Sequence, residues 1–215
     1  IARLREGLGE EREHVPFNPL GSTTQISVVD GDGGMVAMTL TNGEGCGYVL
    51  QDTGIEVNNL LGEDDINPRG FHAIPAGQAM ITMMAPTIAS GPHGERVALG
   101  SGGSNRLRNA IMQSMNHLME FEASFAAAVL APRVHVEATA DGYELNIEEN
   151  GLDETVLGAL KKMFPSTTVF PDTNMFFGGV HLAGRTENNY DGMGDPRRGG
   201  AVAAARTSSH DDPED

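Results

Sequence analysis

The first half of the chain alternates apolar and polar residues in two short runs. Residues 25–29 read Gln-Ile-Ser-Val-Val and residues 35–40 read Met-Val-Ala-Met-Thr-Leu, with Asp-Gly-Asp-Gly-Gly between them. Such runs favour strands, and the glycine-rich connection favours a tight turn, so the pattern predicts a β-hairpin. The turn resembles a calcium-binding loop, but it lacks the later glutamate and the flanking helices of such a loop.

A helical period first appears after the glycine-rich residues 100–104. Its apolar positions recur at intervals of three and four residues: Leu107, Ala110, Ile111, Met115, Leu118 and Met119. This spacing predicts a helix with Ser104 as its N-cap, and the methionines of the stripe are assigned to the core.

Shorter signals predict the remaining elements. Strands are expected at residues 81–84, 96–99, 133–138, 143–147 and 180–182, and a second helix at residues 153–163. Residues 59–77 show no period, and an irregular stretch of this length inside a compact domain is usually functional.

Composition excludes several classes of partner. Thirty acidic and 14 basic residues give a net charge of −16, so neither nucleic acid nor an anionic membrane is expected as a partner. No apolar run approaches the roughly 18 residues that a membrane-spanning helix needs. The single cysteine, Cys46, excludes an internal disulfide and a cysteine-rich zinc site, and its glycine-rich surroundings favour a small side chain in a tight loop. None of these features indicates a compartment.

Three segments are predicted along the chain. Residues 1–22 form a charged stretch and a proline-containing linker, residues 23–206 form one catalytic domain, and residues 207–215 form an acidic tail that is expected to be disordered.

The first candidate for chemistry is Thr23, which lies where the linker meets the first predicted strand. A threonine hydroxyl inside a chain is a poor nucleophile because it has no base. Cleavage before Thr23 would give it an α-amine with a pKa of about 8, which suits a general base acting on the residue's own hydroxyl. Taken alone, the feature is explained more simply by an ordinary strand threonine.

The second candidate is the run Gly100-Ser101-Gly102-Gly103-Ser104 before the predicted helix. Adjacent glycines can present unobstructed N–H groups to an oxyanion, and a helix N-terminus adds partial positive charge. A tight turn explains the same glycines. A phosphate-binding loop is disfavoured because no lysine follows.

Six motifs, in order, resemble the small subunit of the γ-glutamyltranspeptidases. They are residues 23–30 (Thr-Thr-Gln-Ile-Ser-Val-Val-Asp), 54–59 (Gly-Ile-Glu-Val-Asn-Asn), 85–88 (Ala-Pro-Thr-Ile), 100–104 (one residue shorter than the family's Gly-Ser-Pro-Gly-Gly-Ser), 131–133 (Ala-Pro-Arg) and 195–197 (Asp-Pro-Arg).

The resemblance implies an α/β (α+β) fold, the small-subunit portion of the four-layer αββα sandwich of N-terminal-nucleophile hydrolases. It implies a zymogen that cleaves itself between Ser22 and Thr23, after which Thr23 forms an acyl-enzyme with a γ-glutamyl amide such as glutathione. Thr41 would hydrogen-bond the nucleophile, and Gly102 and Gly103 would form the oxyanion hole. The implied partners are the large subunit of the same precursor and a small γ-glutamyl substrate, and no cofactor or metal is needed.

The resemblance also implies substrate-binding positions, which are only partly kept. Asn42 would serve as the substrate-binding amide through a shifted loop. Glu63 or Asp64 would supply the acidic partner of the substrate amine. Thr82 would supply the one hydroxyl that remains for the substrate carboxylate.

Four positions depart from the family's pattern. Gln25 replaces a histidine, Gly43 stands where asparagine is common, Leu60 occupies a Glu or Gln position, and Ile81 replaces a serine. These departures leave open a related amidase of the same fold with a different acyl specificity.

Residues 1–22 resemble the end of the large subunit still attached. If the chain is unprocessed, Thr23 has an amide instead of an amine and no transfer is expected, which leaves open a catalytically silent assembly or binding module. Two histidine–glutamate pairs, at positions 117 and 120 and at positions 135 and 137, are expected to be surface pairs and not metal sites.

Overall fold

The computed structural model describes residues 23–63, 66–186 and 189–205, which divide into two compact units. Within the described part, the first unit comprises Thr23 and residues 41–82, and the second comprises residues 24–40 and the residues from 83 onward. The predicted tail at 207–215 and the linker at 1–22 lie outside the described residues.

The second unit begins with the predicted hairpin, which is confirmed. Strand β1 (Thr24–Val29) pairs with β2 (Met35–Leu40) in antiparallel register. The carboxylate of Asp30 accepts hydrogen bonds from the backbone N–H groups of Asp32 and Gly34 at 3.0 and 2.7 Å. Asp30 therefore closes the turn with its side chain, as aspartate commonly does.

A four-stranded antiparallel sheet packs against this hairpin. Its order is β3 (Thr87–Ser90), β4 (Arg96–Gly102), β8 (Gly179–Thr186) and β9 (Asn189–Gly194), and the hairpin lies against β4 and β8. The strand predicted at 81–84 is wrong, because the chain becomes extended and paired only from Thr87. The strands predicted at 96–99 and 180–182 are present but longer.

Helices cover the other face of this sheet. Helix α1 (Leu107–Glu120) packs on β4 and β8, and α2 (Phe125–Leu130), which was not predicted, packs on β9. Together they bury one core: Leu99, Leu107, Ala110, Ile111, Val129, Val180 and Leu182. Hairpin, sheet and helices make three layers, as expected of part of an αββα sandwich.

One methionine of the α1 stripe was assigned wrongly. Met115 packs against the core, but Met119 is 68% exposed. Steps of four residues overshoot the helical turn by about 40° each, so Met119 has rotated about 120° from Leu107.

A smaller sheet completes the second unit. Strand β5 (Val134–Thr139) pairs antiparallel with β6 (Gly142–Glu148), and β6 pairs parallel with β7 (Ser166–Phe170). Helix α3 (Glu154–Met163) makes the crossover, and Asp153 caps it by accepting from the N–H of Thr155 at 2.7 Å. The hairpin and the helix were predicted, whereas β7 was not.

Candidate active site

The predicted nucleophile Thr23 lies beside a second threonine. Thr24 and Leu40 are paired residues of the hairpin, and Thr23 and Thr41 are the residues next to them in the chain. The hydroxyl oxygens of Thr23 and Thr41 are 2.9 Å apart, and Oγ1 of Thr41 also accepts from the N–H of Gly43 at 2.9 Å. Either hydroxyl can be the donor in this contact, since Thr41 keeps its proton and a second lone pair after it accepts from Gly43.

Gly43, which donates to Thr41, lies directly against a carboxylate. Its φ is +70°, and a Cβ there would lie 2.1 Å from Oε1 of Glu63 and 2.2 Å from Oδ1 of Asn59. The same Asn59 oxygen accepts from the N–H of Glu44 at 2.9 Å. The missing side chain at position 43 therefore leaves the room that the Glu63 carboxylate and the Asn59 amide occupy.

Asn67 orders the loop that carries Glu63, a role that sequence reasoning missed. The side chain is 8% exposed, and its amide donates to the carbonyls of Leu61 and Glu63 at 3.0 and 2.9 Å. An asparagine followed by a proline in an irregular stretch was the only sequence signal. Residues 60–62 form one 3-10 turn, and the Asn67 side chain adds hydrogen bonds that hold this turn and Glu63 in place.

The glycine-rich run lies in the second unit and differs from the predicted loop. Its first three residues are the end of β4, and the turn itself is Gly103, with φ +135° and ψ 30°. A Cβ on Gly103 would lie 2.6 Å from the Cα of Gly178. Ser104 is not the N-cap of α1: it begins a 3-10 turn, Ser104–Arg106, and Arg106 precedes the helix without a side-chain cap.

A cavity of about 360 Å³ lies between β1, β8 and residues 198–203. His181 lines it, and burial is the main cause that lowers the pKa of this imidazole, partly opposed by Asp195. Nδ1 of His181 accepts from the N–H of Asp195 at 3.2 Å. The ring is therefore held as the neutral tautomer with its proton on Nε2.

The model of the protein family described as gamma-glutamyltranspeptidase matches residues 6–205 of the chain. The chain belongs to this family. It is 28% identical over 184 residues to the capsule biosynthesis protein CapD proenzyme of Bacillus anthracis, covering 83% of the chain and 33% of that relative. It is 26% identical over 186 residues to a glutathione hydrolase proenzyme of Bacillus subtilis, covering 85% of the chain and 30% of that relative. The chain thus spans about a third of the length of these proenzymes.

A solved structure of the gamma-glutamyltranspeptidase family shows the same fold. The enzyme from Pseudomonas nitroreducens, complexed with L-DON, matches with a TM-score of 0.70 and 26% identity. The match covers 85% of the present chain and 100% of the chain in that solved structure. The mixed α+β fold is therefore that of the N-terminal-nucleophile hydrolases, as the resemblance implied.

Two motifs of the gamma-glutamyltranspeptidase family meet in a buried ion cluster. Arg133 donates to Asp195 at 2.7 Å, and Arg197 donates to Glu148 and Asp195. All four residues are at most 8% exposed. Burial lowers the pKa of Arg133; for Arg197 burial acts in the same direction, but hydrogen bonds to Glu148 and the charge of Asp195 raise the pKa overall. The cluster joins the end of α2, the end of β6 and the segment after β9.

The predicted recognition residues divide between well-packed and irregular positions. Gln25 is 6% exposed, accepts from the Thr39 hydroxyl at 2.6 Å and donates to Ser27 at 3.0 Å, so it is fixed inside the second unit. Asn42 and Thr82 are half-buried in the first unit, outside regular structure. Asp64 lies outside the described residues.

One of the two histidine–glutamate pairs, His135 with Glu137, does not lie on the surface as predicted. His135 is 8% exposed, and its Nε2 is 3.2 Å from Oε1 of Glu137, so this is a largely buried contact and not a surface pair. Burial lowers the pKa of His135 more than Glu137 raises it. Among the described residues no group of three His, Cys, Asp or Glu could hold a metal ion, and no helix is long and apolar enough to cross a membrane.

Proposed function

We propose that the chain is the catalytic small subunit of an enzyme that hydrolyses or transfers γ-glutamyl amides of the glutathione type. The observation that carries this is the 2.9 Å hydrogen bond between the hydroxyls of Thr23 and Thr41 in a member of the gamma-glutamyltranspeptidase family. The relative from B. subtilis is named a glutathione hydrolase, which supports the substrate class.

Maturation is cleavage of the peptide bond between Ser22 and Thr23. Residues 1–22 are then the end of the large subunit and the following residues, to about 206, the catalytic part. While the bond is intact, the nitrogen of Thr23 is an amide and cannot accept a proton. Cleavage converts it into an amine, which is the only base the mechanism needs.

In the proposed reaction the Thr23 amine accepts the proton of its own hydroxyl, and Oγ1 bonds to the γ-carbonyl carbon. In this step Thr41 is the proposed donor to the same oxygen, and it stabilises the developing negative charge there. The backbone N–H groups at Gly102 and Gly103 are the proposed donors to the carbonyl oxyanion. The C–N bond breaks, the amine leaves with the proton, and water or an acceptor amine then releases the acyl group.

Recognition of the donor is assigned to Asn42, Glu63 and Thr82. Support for Glu63 comes from its carboxylate, which lies against Gly43 in the loop that also carries Thr41. A carboxylate in this loop is suited to the α-ammonium group of a γ-glutamyl donor. Asn42 supplies a substrate-binding amide, and Thr82 supplies a hydroxyl for the donor carboxylate.

The test compares two neighbouring threonines in the full-length gene product. Thr23 is the proposed nucleophile, and Thr24 is exposed on β1. Wild type and Thr24→Ala should both yield a polypeptide that begins at residue 23, measured by intact mass, and should both turn over a γ-glutamyl anilide. Thr23→Ala should do neither. Turnover or cleavage that survives in Thr23→Ala would show that the assignment is wrong.

An amidase with another acyl specificity is the second candidate. Leu60 occupies a Glu or Gln position of the resemblance, Ile81 is 86% exposed where a serine was expected, and the relative from B. anthracis is named a capsule biosynthesis protein. Turnover of other acyl anilides by the matured enzyme, with none of the γ-glutamyl compound, would favour this candidate.

The hairpin of this chain carries an exposed apolar surface that could contact the proposed large subunit. Along β1 and β2 the outward side chains are apolar and 43–54% exposed: Ile26, Val28, Val36, Met38 and Leu40. A contiguous apolar face of this kind marks an interaction surface. It lies opposite the face that packs on the four-stranded sheet, where the remaining layer of an αββα sandwich belongs.

A pair of valine substitutions tests this surface. Val36 is 54% exposed on β2 and Val156 is 48% exposed on α3. Val36→Asp should lower recovery of the matured two-subunit complex in size-exclusion chromatography, because it places a charge in the contact. Val156→Asp should leave recovery unchanged. Equal recovery of the two variants would show that the hairpin face is not part of the contact between the subunits.

A further inference from the structure

A fully buried serine precedes the two glycines of the proposed oxyanion hole. Ser101 is 0% exposed near the end of β4. Its hydroxyl donates to the carbonyl oxygen of Gly102 at 2.7 Å and accepts from the N–H of Gly179 at 3.1 Å. Both contacts are to backbone groups, so the side chain ties the last residue of β4 to the start of β8.

The first of these hydrogen bonds fixes the orientation of one peptide group. No peptide bond is cis among the described residues, and in a trans peptide the N–H points opposite to the C=O. With the Gly102 carbonyl held toward Ser101, the N–H of Gly103 must point away from Ser101. Because Gly102 and Gly103 have no Cβ, the peptide between them would otherwise rotate easily.

The opposite side of the turn is held by another glycine. A Cβ on Gly178 would lie 2.5 Å from the carbonyl oxygen of Gly102 and 2.9 Å from Oγ of Ser101. The backbone at position 178 therefore packs directly on the clamped carbonyl. The Gly102 oxygen therefore lies between the serine hydroxyl and this backbone.

The buried ion pair in turn fixes the backbone that packs on the turn. Nη1 of Arg133 donates to the carbonyl of Phe177 at 3.2 Å, and the Asp195 carboxylate accepts from the N–H of Val180 at 2.9 Å. These contacts flank Gly179, whose N–H donates to Ser101. The backbone on both sides of the serine's partner is thus held by hydrogen bonds to the ion pair.

We propose that Ser101 is a positioning residue that sets the direction of the Gly103 N–H for transition-state stabilisation. This rests on the proposed function, in which that N–H is an oxyanion donor. The serine touches neither substrate nor nucleophile and acts only through the peptide group it clamps. A loss of its hydroxyl should therefore lower kcat and leave KM unchanged.

The test is Ser101→Ala in the full-length gene product, with Ser114→Ala as the matched control. Ser114 is 1% exposed on α1, and its hydroxyl has no hydrogen-bond partner in the described residues. Turnover of a γ-glutamyl anilide is normalised to the amount of matured chain that begins at Thr23. A γ-glutamyl boronate, which forms a tetrahedral adduct with a hydroxyl nucleophile, reports binding of the transition-state geometry.

Ser101→Ala should lower kcat by roughly tenfold to a hundredfold, somewhat less than the loss of an oxyanion donor, with KM within about twofold of wild type. The boronate affinity should fall in parallel with kcat, and Ser114→Ala should match wild type. If Ser101→Ala gives no matured enzyme, Ser101→Cys is measured by the same criterion, since a thiol is a weaker donor of similar size.

Normal kcat in Ser101→Ala, or in Ser101→Cys where that variant is used, overturns the proposal. So does a loss of kcat without a loss of boronate affinity, because it would place the effect outside the oxyanion. Failure of the proposed function can be distinguished from failure of the Ser101 proposal, because wild type itself would then show no turnover that depends on Thr23.

Discussion

Glu148 offers the sharpest test of what the buried ion cluster contributes to stability. Its carboxylate is 0% exposed and accepts four hydrogen bonds. The donors are the N–H of Arg133 at 2.9 Å, the N–H of Asn174 at 2.7 Å, and Nε and Nη2 of Arg197 at 2.8 and 2.5 Å. Glu148→Gln keeps the size of the side chain but replaces one acceptor oxygen with an NH₂ group that faces donors.

The expected cost follows from the charges that remain. Breaking a buried ion pair costs about 3–5 kcal/mol, because the partner is left charged and desolvated. Asp195 still lies 3.4 Å from Nη1 of Arg197, which favours the lower end, about 3 kcal/mol. Each kcal/mol shifts Tm by about 2–4 °C for a chain of 150–250 residues and by less for a longer one, so about 6–12 °C is the upper bound of the expected loss in the full-length product.

The assay is thermal unfolding of the full-length gene product, with Glu120→Gln as the control. Glu120 ends α1 and is exposed, so the same chemical change there should shift Tm by less than about 2 °C. A Glu148→Gln variant as stable as this control would refute the reasoning, since it would mean that Arg197 needs no second carboxylate.

Three further predictions concern the turn, the cavity and the first unit. Gly103→Ala should lose far more activity and stability than the control Gly142→Ala. The backbone angle φ is nearly the same at the two positions, +135° and +132°, but only at position 103 would the new Cβ lie 2.6 Å from another backbone atom. Equal Tm values for the two variants would contradict this prediction. Burial lowers the pKa of His181 below its usual 6.5, so the stability it contributes is complete above about pH 6.5 and is lost as the pH falls. His181→Asn should make Tm less dependent on pH between 7.5 and 5, and the exposed His93→Asn should not. Gly43→Ala should raise KM for a γ-glutamyl anilide at least several-fold, because the new Cβ displaces the side-chain ends of Glu63 and Asn59. It should also lower Tm, because φ is +70° at this position. An unchanged KM would show that position 43 has no part in recognition of the donor.

The hairpin shows what periodicity can and cannot predict. Alternation correctly located β1 and β2, but it did not indicate which face is covered. Gln25 is buried on the inner face, whereas Ile26 and Val28 are 45% and 47% exposed. A period of two separates the faces of a strand, and only the neighbouring layers decide which face is inside.

The missed strands carry weak local signals. Strand β9 reads Asn-Tyr-Asp-Gly-Met-Gly, a sequence more typical of a turn than of a strand. Its register with β8 is continuous from position 181 to 186, so tertiary pairing overrides propensity there. The run at 81–84 is the opposite case, with strand-like residues but no partner strand.

Residue types with a chemical role were easier to predict than residues that position them. The closeness of Thr23 and Thr41 was expected from the resemblance, and the structure brings their hydroxyls together. Asn67 and Ser101 were not singled out. An asparagine or serine acquires such a role only through backbone groups distant in sequence, for example Gly179 for Ser101, and no spacing rule reveals that contact.

The hydroxyl pair also bears on when the proposed site forms. In this chain Thr23 still follows Ser22, yet its hydroxyl is already within hydrogen-bond distance of Thr41, and Thr41 is already held by the N–H of Gly43. Under the proposed function, cleavage is therefore not needed to bring the nucleophilic oxygen next to Thr41. What cleavage adds is a nitrogen that can accept a proton, one covalent bond away from the residue's own Cα. Folding then positions the nucleophile, and proteolysis supplies its base.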